Sequence, residues 1–186
     1  EIARLGFKAC GVQSDRQGQW SIYDYFTSAK ARELRALAAD NGLEVSELVI
    51  WGRDLSHPDA ALRHKNIDEV KRATELAVEL GSPLVNITVP RPASGNLTRV
   101  VKHSSHLPRG YSWNDEWQRY LESMAECLAY AQRAGRSVVL EAFVGSVCST
   151  PDAFFRLLDA VNAPNLGYNV DTAHLASQAQ DVSLAI

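Results

Sequence analysis

A structural unit that recurs along the chain constrains the fold more than any other feature of the sequence. In each copy an amphipathic helix ends at a glycine or proline stop and is followed by a short apolar run. The apolar runs occupy residues 9–12, 45–51, 84–89, 138–143 and 166–171. Because these runs are continuous rather than alternating, they are typical of strands covered on both faces. Strands that alternate with helices in this way favour a parallel α/β sheet with right-handed crossovers.

The number of units favours a parallel (β/α)8 barrel over an open, doubly wound sheet. A complete eight-stranded barrel typically takes about 250 residues, and the 186 residues of the chain hold about five units. Neither of the glycine-rich phosphate loops GxGxxG and GxxxxGK[ST] occurs. We therefore expect residues 1–186 to form a single barrel domain that lacks its first strand and its C-terminal strands. Residues 1–6 support this expectation, because they are typical of the last turn of a helix.

Composition and charge argue against several classes of partner. The formal net charge is −3 with both signs interspersed, so we expect no binding of nucleic acid or of anionic lipid through bulk charge. No apolar stretch is long enough to cross a bilayer. The three cysteines form neither a CxxC nor a Cys/His zinc motif, which favours reduced thiols in a cytoplasmic protein. Unpaired barrel edges favour self-association, so a homo-oligomer is a further expectation.

Three side chains with metal-binding or acid/base chemistry follow neighbouring predicted strands. Glu141 lies within the run 138–143, where an ionised carboxylate is costly unless a cation compensates it. Asp171 ends the next run, and His174 follows it by three residues. Adjacent parallel strands lie about 5 Å apart, so these groups are expected to meet at the carboxyl end of the sheet. Carboxylates and imidazole suit one divalent metal ion, such as Mn²⁺, Mg²⁺, Zn²⁺ or Co²⁺.

Glu141 taken alone has an equally good structural explanation. A glutamate near a strand end often forms an ion pair with arginine and has no part in catalysis. The combination of Glu141, Asp171 and His174 at successive strand ends favours a metal and substrate site over that explanation.

Residues 138–175 resemble the sugar isomerase/epimerase superfamily, the xylose isomerase-like TIM barrels. The resemblance rests on a glutamate at a strand end, a Thr-Pro-Asp helix start at residues 150–152 and an Asp-Thr-Ala-His motif at residues 171–174. Residues 59–89 also resemble the family's third helix and fourth strand. Before residue 59 the similarity is one of element order only.

The resemblance implies a barrel with one divalent metal ion in its mouth, bound by Glu, Asp, His and Glu. Glu141 and Asp171 match the first two ligands, whereas the second pair would lie beyond residue 186. His174 matches a histidine that contacts substrate oxygens. The implied activity is isomerisation or epimerisation of a sugar or a related small polyhydroxylated carbonyl compound, with Glu141 as one acid/base that moves a proton next to the carbonyl. Ketose epimerases often carry a further glutamate six residues after the first, where this sequence has Val147.

Other functions of the same fold remain open alternatives. A metal-dependent dehydratase acting on an inosose- or dehydroshikimate-like substrate belongs to the same fold. A non-catalytic barrel that binds a small molecule would keep the pocket, because fold does not fix function. Apurinic endonucleases share the fold but need an extra histidine where this sequence has Thr88, and the net negative charge also disfavours DNA.

Further candidate substrate-binding residues are Trp51, His57 and Asn86. Trp51 would either give a sugar an apolar stacking face or pack beneath a loop. His57 follows a strand and is either a mouth residue or an ordinary loop residue. Asn86 lies within an apolar strand, where a buried amide needs partners from a ligand or from a neighbouring strand. The long connection Val89–Trp113 is expected to act as a lid over the mouth.

Overall fold

Five parallel strands form one sheet in the order in which they occur along the chain. The structure is a computed structural model that describes residues 1–14, 21–90 and 110–185. The strands are β1 (Ala9–Gln13), β2 (Glu44–Trp51), β3 (Leu84–Thr88), β4 (Ser137–Glu141) and β5 (Leu166–Asn169). A doubly wound sheet reverses its strand order at a switch point, whereas this order does not reverse. The predicted barrel-type α/β fold with about five units is therefore confirmed.

The helices alternate with the strands and form a layer of their own. They are α1 (Ser28–Asp40), α2 (Ala60–Leu80), α3 (Trp113–Arg133), α4 (Pro151–Val161), α5 (Thr172–Ser177) and α6 (Val182–Ala185), preceded by a 3₁₀ turn at Ala3–Leu5. Consecutive members of the series α1 to α4 pack against each other, and α2 also packs on β2 and β3. None of the helices in the described part of the chain combines the length and the apolar character that crossing a membrane requires.

The hydrophobic core lies between the sheet and this helix layer. It includes Leu48, Ile87 and Leu140 of the sheet, together with Val70 of α2 and Met124 of α3, all of which are fully buried. The apolar stripes of the sequence thus face the strands, as their helical spacing predicts.

The opposite face of the sheet departs from the expectation of continuous apolar cover. That expectation holds for β3, where the last four residues are all buried, but in β4 buried and half-buried residues alternate. The helices cover one face only, and the second face lines the barrel interior, which the described strands enclose in part. Polar side chains on this inner face include Glu47, Asn86, Glu141 and Asn169.

The local structure at two helix ends follows the sequence pattern. The turn at residues 3–6 is a 3₁₀ turn closed by Gly6 in the left-handed region, at φ 90°. The Thr150-Pro151-Asp152 segment begins α4, with the Thr150 hydroxyl accepting the N–H of Ala153. All three cysteines are free thiols. Most of the predicted lid, residues 91–109, lies outside the described residues.

Candidate metal and substrate site

The three predicted chemical groups meet at the carboxyl end of the sheet. His174 Nε2 lies 3.8 Å from Glu141 Oε1 and 3.8 Å from Asp171 Oδ2. One donor atom from each residue lies within 4.8 Å of the others. Ligands about 2.1 Å from one ion are roughly 3–4 Å apart, so small side-chain shifts would let all three reach a common ion. Two carboxylates and an imidazole suit a divalent cation such as Mn²⁺ or Zn²⁺.

Glu141 is the last residue of β4, and two amide side chains orient its carboxylate. Asn86 Nδ2 of β3 donates to Glu141 Oε2 at 3.3 Å, and Asn169 Nδ2 of β5 donates to the same oxygen at 3.4 Å. The sheet register places both amides. Asn169 pairs directly with Glu141, and Asn86 lies two residues before Thr88, the partner of Glu141 on β3. The amides therefore hold Oε2, while Oε1 faces the imidazole of His174.

Asp171 divides its two oxygens between the backbone and the site. It is the N-cap of α5, and its Oδ1 accepts the N–H groups of Ala173 at 2.8 Å and of His174 at 3.0 Å. This is the usual role of an aspartate before a helix. Its Oδ2 faces the His174 ring. The helix that Asp171 caps thus carries the histidine, which keeps the two residues of the Asp-x-x-His motif together.

Glu141 and His174 line a cavity of about 580 Å³. Its walls are formed by Trp51, Arg53, Thr88, Val89, Pro90, Glu141, Phe143 and His174. The volume is in the range of small-molecule sites, and apolar walls with a few converging polar groups are typical of them. The Phe143 ring lies 5.9 Å from the His174 ring, centre to centre, so it forms an apolar wall beside the imidazole.

The cysteine nearest this region in the chain is not an additional nucleophile. Cys148 follows β4 and is fully buried. Burial raises the pKa of its thiol to about 12, so the thiol is protonated at neutral pH.

The other three residues predicted to bind substrate differ in their position relative to the cavity. Trp51 lines the cavity. Asn86 lies behind it, where its amide binds the carboxylates of Glu47, at 3.0 Å, and Glu141. His57 belongs to the loop between β2 and α2, where its Nδ1 accepts the N–H of Asp59, and it is not among the described residues of the cavity wall.

Two residues of the site region were not singled out from the sequence. Arg53 lines the cavity, and its position just after an apolar strand is a signal that could have identified it. Glu47 is a second carboxylate within a strand, and the same cost of burying a charge that identified Glu141 applies to it.

Solved structures with the same fold include several enzymes. An L-ribulose 3-epimerase superposes with a TM-score of 0.74 at 20% identity, covering 98% of this chain and 56% of that one. A D-psicose 3-epimerase determined in the presence of D-fructose gives 0.74 at 19% identity, covering 97% and 58%. The probable 3-DHS dehydratase AsbF from Bacillus anthracis, involved in petrobactin synthesis, gives 0.71 at 20% identity, covering 99% and 60%.

At these identities the similarity shows the fold alone. The chain spans somewhat more than half the length of each of these structures. No curated protein is similar enough to the chain to count as a match.

The family assignment rests on a match over almost the whole chain. The model of the family described as "xylose isomerase-like TIM barrel" matches residues 1–185. This extent includes all five strands and the Glu141, Asp171 and His174 cluster. The chain therefore belongs to the xylose isomerase-like TIM barrel family.

Proposed function

We propose that the protein is a metal-dependent isomerase or epimerase that acts on a sugar or a related small polyhydroxylated carbonyl compound. The observation that carries the proposal is the meeting of Glu141, Asp171 and His174 within 4.8 Å at the carboxyl end of the sheet. Catalytic groups of parallel α/β barrels lie at this end. The epimerases among the similar structures support the same class of reaction.

The donor set fits one divalent ion, which Glu141 and Asp171 would hold beside His174. Such an ion, when bound, polarises a carbonyl or hydroxyl oxygen and so makes the neighbouring C–H more acidic. Further ligands would complete its shell, because divalent ions of this kind take four to six.

The protein's own residues would move the proton. Asn86 and Asn169 hold Glu141 Oε2, and Oε1 lies 3.8 Å from His174 Nε2. The Glu141 carboxylate would take the proton from the carbon next to the carbonyl and later return a proton to it. His174 and Trp51 both line the cavity. The His174 imidazole would hydrogen-bond a substrate oxygen, and Trp51 would offer an apolar face to the carbon chain.

A dehydratase acting on a related polyhydroxylated carbonyl compound is the second candidate. It is favoured by Val147, a buried apolar residue at the position where ketose epimerases often have a further glutamate. The similarity to a probable 3-DHS dehydratase is consistent with it. Dehydration also begins with removal of a proton next to a carbonyl, so the same Glu141 would serve both reactions.

Metal binding by the full-length protein tests the part that both candidates share. We expect calorimetric titration with Mn²⁺ to show binding that Glu141→Gln weakens at least about a hundredfold, because a neutral amide replaces a charged ligand. Glu44→Gln is the matched control, since Glu44 begins β2 and therefore lies at the end of the sheet opposite to Glu141. Unchanged Mn²⁺ affinity in Glu141→Gln would contradict the proposed metal site.

Proton NMR in D₂O separates the two reactions. The full-length protein with Mn²⁺ is incubated with a panel of ketoses and of cyclic and acyclic polyhydroxylated ketones. Epimerisation replaces one carbon-bound proton with deuterium at constant composition, whereas dehydration gives a product that has lost water. Turnover that is unchanged in Glu141→Gln would exclude Glu141 as the acid/base.

A further inference from the structure

The cavity contains a cationic side chain that the proposed reaction does not use. Arg53 follows β2 by two residues and lines the cavity together with Glu141 and His174. Its guanidinium carbon lies 4.7 Å from the centre of the Trp51 ring, so it stacks on a second residue of the wall. Stacking on an aromatic ring restricts the orientations of a long, flexible side chain.

The backbone beside Arg53 is fixed against β3. The N–H of Gly52 donates to the carbonyl oxygen of Thr88 at 3.1 Å and lies 3.3 Å from its hydroxyl oxygen. A Cβ on Gly52 would lie 2.5 Å from Ile87 Cγ2 and 2.6 Å from the Thr88 carbonyl oxygen. Only glycine fits this approach, so the segment rests directly on the neighbouring strand.

The same segment is also fixed from the helix layer. Asn66 of α2 accepts the N–H of Asp54 at 3.0 Å and donates to the carbonyl oxygen of Trp51 at 3.2 Å. Asn66 is itself fully buried and donates to Glu69 Oε2 at 2.6 Å. The backbone on both sides of Arg53 is therefore tied to buried elements. The Arg53 side chain is itself exposed, and its stacking on Trp51 orients it at the cavity wall.

Arg53 is available to a ligand, because the carboxylates of the site have other partners. Within the described residues, Arg53 forms no ion pair. A divalent ion bound by Glu141 and Asp171 would balance their two negative charges. Glu47, the third carboxylate of the site region, is bound by the Asn86 amide at 3.0 Å. Arg53 would then be the cationic side chain that the wall of the loaded cavity offers to a ligand.

We propose that the substrate is an anionic polyhydroxylated carbonyl compound whose carboxylate or phosphate group binds Arg53. The inference rests on the proposed function, since it assigns the substrate class of the same site. A guanidinium forms two parallel hydrogen bonds with either group. The bound anion would lie over the Trp51 side of the cavity, with the reacting carbon at the side of Glu141 and His174.

Matched pairs of neutral and anionic probes test the inference in the Mn²⁺-loaded, full-length protein. The first pair is L-sorbose and 5-keto-D-gluconate, in which a carboxylate replaces a terminal CH₂OH on the same ketone skeleton. The second is D-xylulose and D-xylulose 5-phosphate. We expect the anionic member of at least one pair to bind about ten- to a hundredfold more tightly by calorimetry. A difference in the first pair would indicate that Arg53 binds a carboxylate, and a difference in the second pair would indicate that it binds a phosphate.

Variants assign that difference to one side chain. Arg53→Met should abolish the preference, and Arg53→Lys should keep only part of it, because lysine has the charge without the planar fork. Arg133→Met is the matched control, since Arg133 lies 5.5 Å from the Tyr130 ring centre but ends α3, at the other end of the sheet. It should leave the preference intact.

Two results would overturn the inference. One is that neither anionic probe binds more tightly than its neutral partner, including the case in which no probe binds. The other is a preference that survives in Arg53→Met. Failure of the wild-type protein to bind Mn²⁺ would instead contradict the proposed function, so the two failures are distinguishable.

Discussion

The two ends of the sheet carry cavities of nearly the same volume but of different construction. The cavity at the carboxyl ends measures about 580 Å³, and one at the amino ends measures about 570 Å³. The second is lined by Ala9, Arg35, Ala38, Ala39, Leu43, Glu44, Val45, Ser46, Leu80, Gly81 and Pro83. Within the described residues, the metal-type cluster lies at the carboxyl end. Volume therefore does not identify the site, whereas converging charged groups do.

The connections explain why the ends differ. At the amino ends the chain passes from α1 to β2 and from α2 to β3 within three residues, with backbone hydrogen bonds at the helix ends. Such short turns contribute few side chains to this edge of the sheet. At the carboxyl ends longer connections follow β1 to β4, whereas only two residues separate β5 from α5. Capping residues such as Asp59, Thr150 and Asp171 bring polar side chains to this end.

Two glycines, one at each end, give the largest expected effect. An alanine at position 52 would place its methyl group 2.5 Å from Ile87 Cγ2 and 2.6 Å from a backbone oxygen that cannot retreat. We expect Gly52→Ala to lower the free energy of unfolding in urea by about 3 kcal/mol. Gly81→Ala should cost only about 1 kcal/mol, because its φ of 74° is unfavourable but the nearest atoms belong to the flexible Arg35 side chain. Equal costs at the two positions would contradict this comparison.

Two asparagines allow a similar test of the site. Asn86 Nδ2 binds the carboxylates of Glu47 and Glu141, whereas Asn165 Nδ2 binds the carbonyl oxygens of Leu128 and Arg136. We expect Asn86→Leu to weaken Mn²⁺ binding about ten- to a hundredfold, because the orientation of a metal ligand is lost.

Asn165→Leu is the control for that variant. Removing its hydrogen bonds should cost about 1–3 kcal/mol of unfolding free energy while leaving the Mn²⁺ affinity unchanged in calorimetric titration. If Asn86→Leu lost stability alone, with full metal affinity, Asn86 would be a structural residue and not a positioning residue.

The smallest effect per residue is expected for two buried thiols, one in the helix layer and one near the site. Both should change the stability of the protein with pH in the same way. Burial raises the pKa of Cys127, in α3, and of Cys148, after β4, to about 12. In the unfolded chain a thiol ionises near about 8.5, so above that pH the folded state binds more protons. The stabilisation is complete below this pH and is lost as the pH rises towards 12.

The measurement is the free energy of unfolding between pH 8 and 10. We expect it to fall more steeply in the wild-type protein than in the Cys127→Ala/Cys148→Ala variant, with a difference of about 1 kcal/mol for each thiol, or about 2 kcal/mol for the pair, over the first pH unit above the unfolded pKa. Each single variant should account for a similar share. Identical pH slopes in the wild-type and the double variant would show that the thiols are not protected by burial.

The sequence predicted what depends on order along the chain. Alternating helices and apolar runs indicated the parallel sheet, and placing Glu141 and Asp171 at adjacent strand ends brought them together with His174. What depends on side-chain contacts between distant segments was not predicted. The role of Asn86 requires Glu47, which lies 39 residues away. The backbone position of Arg53 depends on the contact of Gly52 with β3, which no local pattern indicates.

The capping role of Asp171 affects how mutational surveys of this protein should be interpreted. Because Oδ1 binds two backbone N–H groups and Oδ2 faces the imidazole, one side chain serves two separable tasks. A scan scored by protein abundance would report intolerance at this position for the cap, and a scan scored by turnover would report it for the site. Asparagine retains a capping oxygen but lacks the charge. The expected signature of a dual-purpose residue is thus an Asp171→Asn variant that is present at normal abundance but does not turn over substrate.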